Sequence, residues 1–443
     1  MSLKFGTDGV RGVAFEELTP QLVYGLGRAA ARVLGSDEPF YVGRDTRESG
    51  PALQAALAAG LAAEGARVVD LGVIPTPGVA HICARRAAPG AMLSASHNPY
   101  RDNGVKFFAR GGVKLTDDVE EQLEALLPEV VSSGREDLSL GTQVRDEEAL
   151  REYEASLLAS LEGRRLDGLS VVLDCAHGAA SSIAPRVFAA LGARVTVLND
   201  APSGTNINDG CGSTHPEAVQ AEVVRAGADV GLAFDGDADR MLAVAASGAL
   251  VDGDHILAVC ALDRRERGCL AGDTLVVTVL ANLGLRIAMD AHDVHVVETA
   301  VGDRYILEAM AAGGFTLGGE QSGHIIFGDL ATTGDGMLAG LQLLDVMARS
   351  GRTLADLAAV MKRLPQVMIN VRGVDCARLD DTPSIWAAVD KEAIALGGSG
   401  RVLLRKSGTE PIVRVMVEAS TEATAHEVAE RIATVVEEEL ALG

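Results

Sequence analysis

Apolar positions along this chain recur at two periods, and the alternation between them marks out the elements. Leu22, Val23, Leu26, Ala30 and Val33 share one face at helical spacing, with Thr19 as a capping hydroxyl and Pro20 in the first turn. The β-rich run Phe40-Tyr41-Val42, a helix over about 49–64 and a strand at 68–71 then make a β-α-β unit. Residues 129–142, polar and broken by glycine, read as a linker, and a helix follows over about 147–161. Unbroken apolar runs at 171–174, 194–198 and 230–234, with helices near 180–191 and 215–227, predict parallel strands covered on both faces. A third pass places strands at 275–279, 295–298 and 315–317 and a helix near 282–290. After Pro365 the pattern changes to strands at 367–374, 401–405 and 412–418 with helices near 382–396 and 421–441. The predicted fold class is α/β: three similar doubly wound α/β domains and a smaller C-terminal α+β domain, divided at 1–145, 146–251, 252–365 and 366–443.

A chain of 443 residues is too long for one core, which agrees with several domains. Hydrophobic content of 48% with only 3% aromatic residues predicts interiors filled by aliphatic side chains. The net charge of -23 argues against nucleic acid, whose binding needs Lys and Arg at the phosphates. An anionic small molecule stays open as substrate, because the charge inside a cleft is local. Six cysteines lie scattered without a C-x-x-C pair and read as buried, reduced thiols of a cytoplasmic protein. The first residues lack the apolar core of a signal peptide and no apolar run approaches a membrane span, so neither export nor a membrane partner is expected.

Candidate chemistry collects at strand ends, where open α/β sheets place their ligands. Asp235-Gly236-Asp237-Ala238-Asp239-Arg240 follows the run 230–234, and three carboxylates so close repel one another unless a cation joins them. Mg²⁺ suits such a partial oxygen cage. An EF-hand fails here, because Arg240 stands where glycine is wanted and Ala246 where a bidentate glutamate is wanted. Ala91-Met92-Leu93 runs into Ser94-Ala95-Ser96-His97-Asn98-Pro99, in which Ser96 is a candidate nucleophile or an ordinary turn hydroxyl. Lys106 follows Ser96 by ten residues, near a predicted strand start, and is either a solvated charge or a proton-transfer group brought back by a tight return. Gly43-Arg44-Asp45-Thr46-Arg47 also occupies a strand's carboxyl end. Glu320, Gln321, Ser322 and His324 lie in a glycine-flexed turn between two strands, suited to sugar hydroxyls or forming a plain polar hairpin. Arg405, Lys406, Ser407, Gly408, Thr409 and Arg414 reverse the local charge and read as a phosphate clamp or a basic surface turn.

Five stretches in this order resemble the α-D-phosphohexomutase superfamily: 5–12, 94–99, 235–240, 319–324 and 405–411. Within it the resemblance is strongest to the branch that acts on glucosamine phosphates. It spans the whole chain and implies four domains around a central cleft, a cytoplasmic isomerase, and interconversion of glucosamine 6-phosphate and glucosamine 1-phosphate. By this resemblance Ser96 carries the phosphoryl group, and Asp235, Asp237 and Asp239 hold Mg²⁺ with an oxygen of phosphorylated Ser96. Lys106 and Arg11 serve proton transfer and positioning, Arg240 sits beside the metal, and His97 hydrogen-bonds the phosphoryl group. Glu320 and Ser322 contact sugar hydroxyls, with His324 in the same loop, while Arg405, Ser407, Gly408, Thr409 and Arg414 clamp the phosphate that is not transferred. Gln321 and Asp303 mark the glucosamine branch, where an extra acid suits an ammonium sugar, although Asp303 also fits a helix cap. A hexosamine 1,6-bisphosphate is the implied intermediate and activator. Sugar phosphates are the implied partners, and a homodimer is one arrangement open to the chain. The rival readings are a glucose or mannose phosphomutase, an aspartyl-phosphate phosphatase using Asp235, and a non-catalytic sugar-phosphate-binding protein.

Overall fold

Short valine- and leucine-rich runs become the inner strands of the protein, and polar loops at their carboxyl ends carry the chemistry. The structure, a computed structural model, describes residues 6, 9–132, 143–407 and 411–442. By internal contact these divide into two compact units, one of 1–280 with 294–360 and one of 281–293 with 361–443.

Among the described residues the first unit contains three sheets. The first has the spatial order Val10–Val13, Asp102–Phe108, Gly90–Leu93, Phe40–Arg44, Val68–Val73, Gln143–Arg145. Its last four strands are parallel, and its first two run antiparallel at one edge. The second sheet pairs Arg194–Leu198, Ser170–Asp174 and Val230–Phe234 in parallel and then adds the antiparallel Met241–Ala245 and Leu250–Val251. The third orders His295–Thr299, Thr274–Thr278 and Leu317–Gly319 in parallel, with antiparallel Ile325–Phe327. The expected repetition is therefore present, but each sheet is mixed rather than wholly parallel: a short return at one edge closes antiparallel without a crossover helix.

The helices form for local reasons. Thr19 accepts a hydrogen bond from the Leu22 N–H at 3.2 Å, capping Pro20–Leu34 as its sequence predicts. Two helices of the first unit, Gly253–Glu266 and Gly336–Ser350, lie outside the elements expected from the sequence. In the latter every residue from Gly336 to Met347 is buried, as expected for a helix covered on all sides.

Three sequence expectations need correction. The linker at 129–142 begins later, because the helix Asp117–Ser132 runs through its first residues even past Pro128, and the remainder lies outside the described residues. Lys106 is not near a strand start but is the fifth of seven residues in Asp102–Phe108, because pairing with Val10–Val13 extends that strand back through the polar turn signal. The strand expected at 315–317 runs Leu317–Gly319, since Phe315 leaves the ladder to pack with Ile306 and Met310.

The second unit is an antiparallel sheet in the order Gln366–Arg372, Ile412–Glu418, Arg401–Lys406, backed by Pro383–Leu396 and Glu422–Glu439. By contact the helix Leu283–Asp290 groups with this unit. Glu418, fully buried, accepts hydrogen bonds from the Leu283 N–H, the Asn282 amide and Arg401 at 3.0, 3.0 and 2.6 Å.

Candidate active site

Two strands buried along their whole length, Gly90–Leu93 and Val230–Phe234, end side by side and deliver Ser96 and Asp235. The Ser96 hydroxyl is 1% exposed and donates to Asp235 Oδ2 at 2.6 Å. Its backbone is left-handed, at φ 52°, a conformation that an L-residue keeps only when neighbours impose it. Those neighbours are named in the contacts. The Ser96 N–H donates to Ser94 Oγ at 2.9 Å, and Ser94 Oγ donates to Asp45 Oδ2 at 2.6 Å. Arg47, with a side chain wholly out of solvent, donates to the carbonyls of Ser96, Asn98 and Asp102 at 2.9 Å each and also to that of Pro99. Asn208 adds donors to the Ser96 and Asn98 carbonyls at 2.9 and 3.0 Å. Gly236 lets the two loops meet: a Cβ there would lie 2.7 Å from the Ser96 carbonyl oxygen.

Asp235, Asp237 and Asp239 are buried, and one oxygen of each lies within 4.8 Å of the others. Burial, with Asp239 and Asp237 adding to it, drives the Asp235 carboxyl well above its ordinary pKa. Burial also opposes ionisation of Asp239, yet Lys106, His324 and Arg240 together hold it well below. Asp237 Oδ1 and Asp239 Oδ1 are buried without a hydrogen-bond partner. Acidic oxygens in this state fit a hard divalent cation such as Mg²⁺. Asp237 is steadied from outside the loop, since Thr76 donates its N–H to the Asp237 carbonyl at 3.0 Å and its hydroxyl to Oδ2 at 2.5 Å.

The predicted cations surround this cluster. Lys106, in register opposite Met92, places Nζ 2.8 Å from Asp237 Oδ2 and 3.2 Å from Asp239 Oδ2, so it is a buried ion-pair partner rather than a solvated charge. Arg240 Nη1 lies 3.2 Å from His97 Nδ1, which is itself 3.3 Å from Ser96 Oγ. Burial, Arg240 and Arg11 push the His97 pKa down to about 4, so at neutral pH its imidazole is uncharged and accepts from Arg240. Arg11, half-buried on Val10–Val13 opposite Gly104, completes that side.

His324 and Asp303, both expected near the substrate, sit beside the aspartate cluster. His324 is 2% exposed, with Nδ1 3.7 Å from Asp239 Oδ1 and Nε2 3.2 Å from Asp303 Oδ2, and Asp303 pairs in turn with Lys114. Burial opposes charge on His324, but the two acids raise its pKa to about 10. Lys114, Asp303, His324 and Asp239 thus form a ladder of alternating charge. Both residues are buried within this ladder. Asp303 is not a helix cap, since Gly302 precedes it at the start of Asp303–Gly313. Glu320, Gln321 and Ser322 do stand in a hairpin turn between Leu317–Gly319 and Ile325–Phe327. Ser322, exposed, donates to Glu320 at 3.2 Å, and the Gln321 amide reaches Asp252 at 3.4 Å.

In the second unit Arg405 and Arg414 are direct cross-strand partners, and Arg414 donates to Ser407 Oγ at 3.3 Å. Burial and then Arg414 lower the Arg405 pKa from its usual value. Like charges opposed across a ladder are unfavourable and are relieved by an anion. Gly408 and Thr409 lie outside the described residues.

Domain models of the phosphoglucomutase/phosphomannomutase family match the chain in succession: alpha/beta/alpha domain I at 2–132, domain II at 151–248, domain III at 252–364 and the C-terminal domain at 368–435. The chain belongs to this family. Among curated relatives it is 56% identical to a phosphoglucosamine mutase of Acidothermus cellulolyticus, covering 98% of this chain and 96% of that protein. It is 53% identical to one of Thermobifida fusca, covering 100% of both. A family protein of Burkholderia thailandensis shares the fold at a TM-score of 0.83 and 24% identity, over 100% of this chain and 99% of that one. Aspergillus fumigatus N-acetylphosphoglucosamine mutase, solved with GlcNAc-6P and magnesium, superposes at a TM-score of 0.74 and 20% identity, over 100% and 96%. Family membership makes this chain an enzyme of the phosphohexomutase class.

Sequence reasoning passed over Arg47, Thr76, Asn208 and Lys114. The run 43–47 carried a signal by its place at a strand end, but Asp45 and Arg47 there serve the serine loop rather than a ligand.

Two outcomes follow for this site. Arg47→Lys, which keeps the charge but loses the fork, should lower kcat about 10²-fold with KM little changed, whereas Arg47→Leu strands Asp45 and should cost about 3–5 kcal/mol in urea unfolding. In chelator, the contribution of His324 to stability should be full below about pH 6.5 and be lost as pH rises through about 10, because its pKa is higher folded than unfolded. Urea midpoints across that range should show a flatter profile for His324→Asn.

Proposed function

We propose that this enzyme interconverts glucosamine 6-phosphate and glucosamine 1-phosphate through a phosphoryl group carried on Ser96. The observation that carries this reading is the Ser96 hydroxyl 2.6 Å from Asp235 within a cluster of three buried carboxylates. Asp235, Asp237 and Asp239, with a phosphoryl oxygen on Ser96, would hold Mg²⁺, which supplies charge neutralisation during phosphoryl transfer.

The phosphorylated Ser96 meets the free hydroxyl of a bound hexosamine monophosphate. As the sugar oxygen to phosphorus bond forms, the Ser96 Oγ to phosphorus bond breaks. The proton leaving the sugar hydroxyl balances the one gained by Ser96 Oγ, and Lys106 is the group we assign to move it. The product is the 1,6-bisphosphate. It turns over, and the same step in reverse returns a phosphoryl group to Ser96 and releases the isomer. Arg11 and Arg240 orient the phosphoryl oxygens, and His97 is assigned as a hydrogen-bonding partner of the phosphoryl group rather than as the base. Glu320 and Ser322 hold sugar hydroxyls, and Arg405, Ser407, Gly408, Thr409 and Arg414 hold the phosphate that is not transferred. One guanidinium clamp that reads phosphate alone accepts the sugar in either orientation.

The glucosamine assignment is supported by three curated relatives 54–56% identical across nearly the full chain, each named phosphoglucosamine mutase, and by Gln321 in the sugar loop. The product would enter amino-sugar nucleotide and cell-wall precursor synthesis in the cytoplasm. The four domains are proposed to divide near 145, 251 and 365, the first carrying the serine loop, the second the metal loop, the third the sugar loop and the last the phosphate clamp.

Coupled turnover assays on glucosamine, glucose and mannose 6-phosphates should give the highest kcat/KM for glucosamine. Ser96→Ala should lower it by at least about 10³-fold. Full turnover by Ser96→Ala would overturn the serine assignment, and equal use of all three sugars would overturn the substrate.

A further inference from the structure

Thr76 joins the two sheets that build the site at a point away from the reacting atoms. It follows Val68–Val73 of the first sheet, whose strand Gly90–Leu93 delivers Ser96, and its target, Asp237, follows Val230–Phe234 of the second. Prolines on both sides shape the contact. Pro75 holds an extended backbone at φ -58° and ψ 151°, and Pro77 has no N–H, so Thr76 opens the helix Thr76–Arg86 with its own N–H turned to the Asp237 carbonyl at 3.0 Å. The first N–H groups of a helix have no partner within it, and they favour a negative neighbour. The hydroxyl completes the hold, donating to Asp237 Oδ2 at 2.5 Å from a residue that is 0% exposed.

Oδ2 also accepts from Lys106 Nζ at 2.8 Å, while Oδ1 is buried and accepts no hydrogen bond. The two oxygens of Asp237 are therefore unlike: one is committed to the protein, and the other keeps its lone pairs. Of the two donors on Oδ2, Lys106 is assigned to proton transfer, so its contact changes as the proton moves. An aliphatic hydroxyl does not ionise in the working pH range, and Thr76 holds Oδ2 throughout. Asp235 is oriented differently. It accepts from Ser96 Oγ at 2.6 Å and from the Arg240 N–H at 3.1 Å, and the first of these bonds is lost when Ser96 carries a phosphoryl group. The Thr76 contacts depend neither on the state of Ser96 nor on the place of that proton.

We propose that Thr76 is a positioning residue for the metal: by fixing the Asp237 backbone and Oδ2, it keeps Oδ1 presented to the cation in a constant relation to Ser96. This rests on the reading of the three aspartates as Mg²⁺ ligands, and extends it to a residue that touches neither substrate nor metal. Removing such a partner of a ligand costs about 10–100-fold in metal affinity or activity.

Calorimetric titration of Mg²⁺ tests it, in full chains brought to one phosphorylation state as judged by intact mass. Two pairs of chains isolate the hydroxyl: wild type against Thr76→Val, and Thr76→Ser against Thr76→Ala. Within each pair, loss of the hydroxyl should weaken Mg²⁺ binding about 10–100-fold, with Thr76→Ser close to wild type. At saturating Mg²⁺, kcat should fall about tenfold in Thr76→Val with KM for glucosamine 6-phosphate little changed, and return in Thr76→Ser. If Thr76→Val does not fold, the serine and alanine pair carries the comparison. Equal Mg²⁺ affinity within the pairs, whatever their urea midpoints, overturns the role of Thr76 and leaves a structural hydrogen bond. A loss in Thr76→Ser as large as that in Thr76→Ala overturns it as well, since the methyl group would then be responsible. A wild-type chain that binds no Mg²⁺ overturns the metal reading itself, and the proposal with it.

Discussion

Three carboxylates buried within 4.8 Å of one another set the terms for the rest of this structure. Left alone they repel, and taking each out of water costs several kcal/mol after relaxation. The fold answers with Lys106 between Asp237 and Asp239, Arg240 alongside, and His324 charged behind Asp239. The compensation is incomplete, as the raised pKa of Asp235 and the oxygens of Asp237 and Asp239 that accept no hydrogen bond show. That remainder is what makes the cluster a place for a divalent cation and, next to it, for a phosphoryl group.

A second constraint is the backbone of the serine loop. A left-handed serine is a conformation that the chain does not choose by itself, and Arg47, Asn208 and the Asp45–Ser94 pair hold it there through carbonyls and an N–H. Arg47 gathers the carbonyls of Ser96, Asn98, Pro99 and Asp102 onto one guanidinium, with Asn208 sharing the first two. Rigid positioning of this kind suits phosphoryl transfer, in which little covalent work falls to the protein and most of the acceleration comes from placement and charge.

The sequence disclosed those parts of the site whose residues are neighbours in the chain. Asp235, Asp237 and Asp239 announce themselves by spacing, and Ser96 by its place after a buried strand. The supports were hidden because they act across long separations: Arg47 reaches a carbonyl 49 residues away, Asn208 one 112 residues away and Thr76 a carboxylate 161 residues away. The charge ladder through His324 and Asp303 was hidden for a related reason, since its members are far apart in sequence and burial is not visible there. In the fold, β-rich runs such as 194–198 and 230–234 were legible to the residue. Gly336–Ser350 was not, although the structure buries every residue from Gly336 to Met347. The antiparallel edges were also beyond the pattern, as periodicity reports burial and not strand direction.

The central claim is that Ser96 carries the transferable phosphoryl group. Peptide mass spectrometry of the purified chain tests it most directly. The account predicts a phosphate-sized mass increment on the peptide containing Ser96, absent from Ser96→Ala and discharged when glucosamine 6-phosphate is added in the presence of Mg²⁺. A stable phosphate found on Asp235, or one that survives on Ser96→Ala, would contradict it.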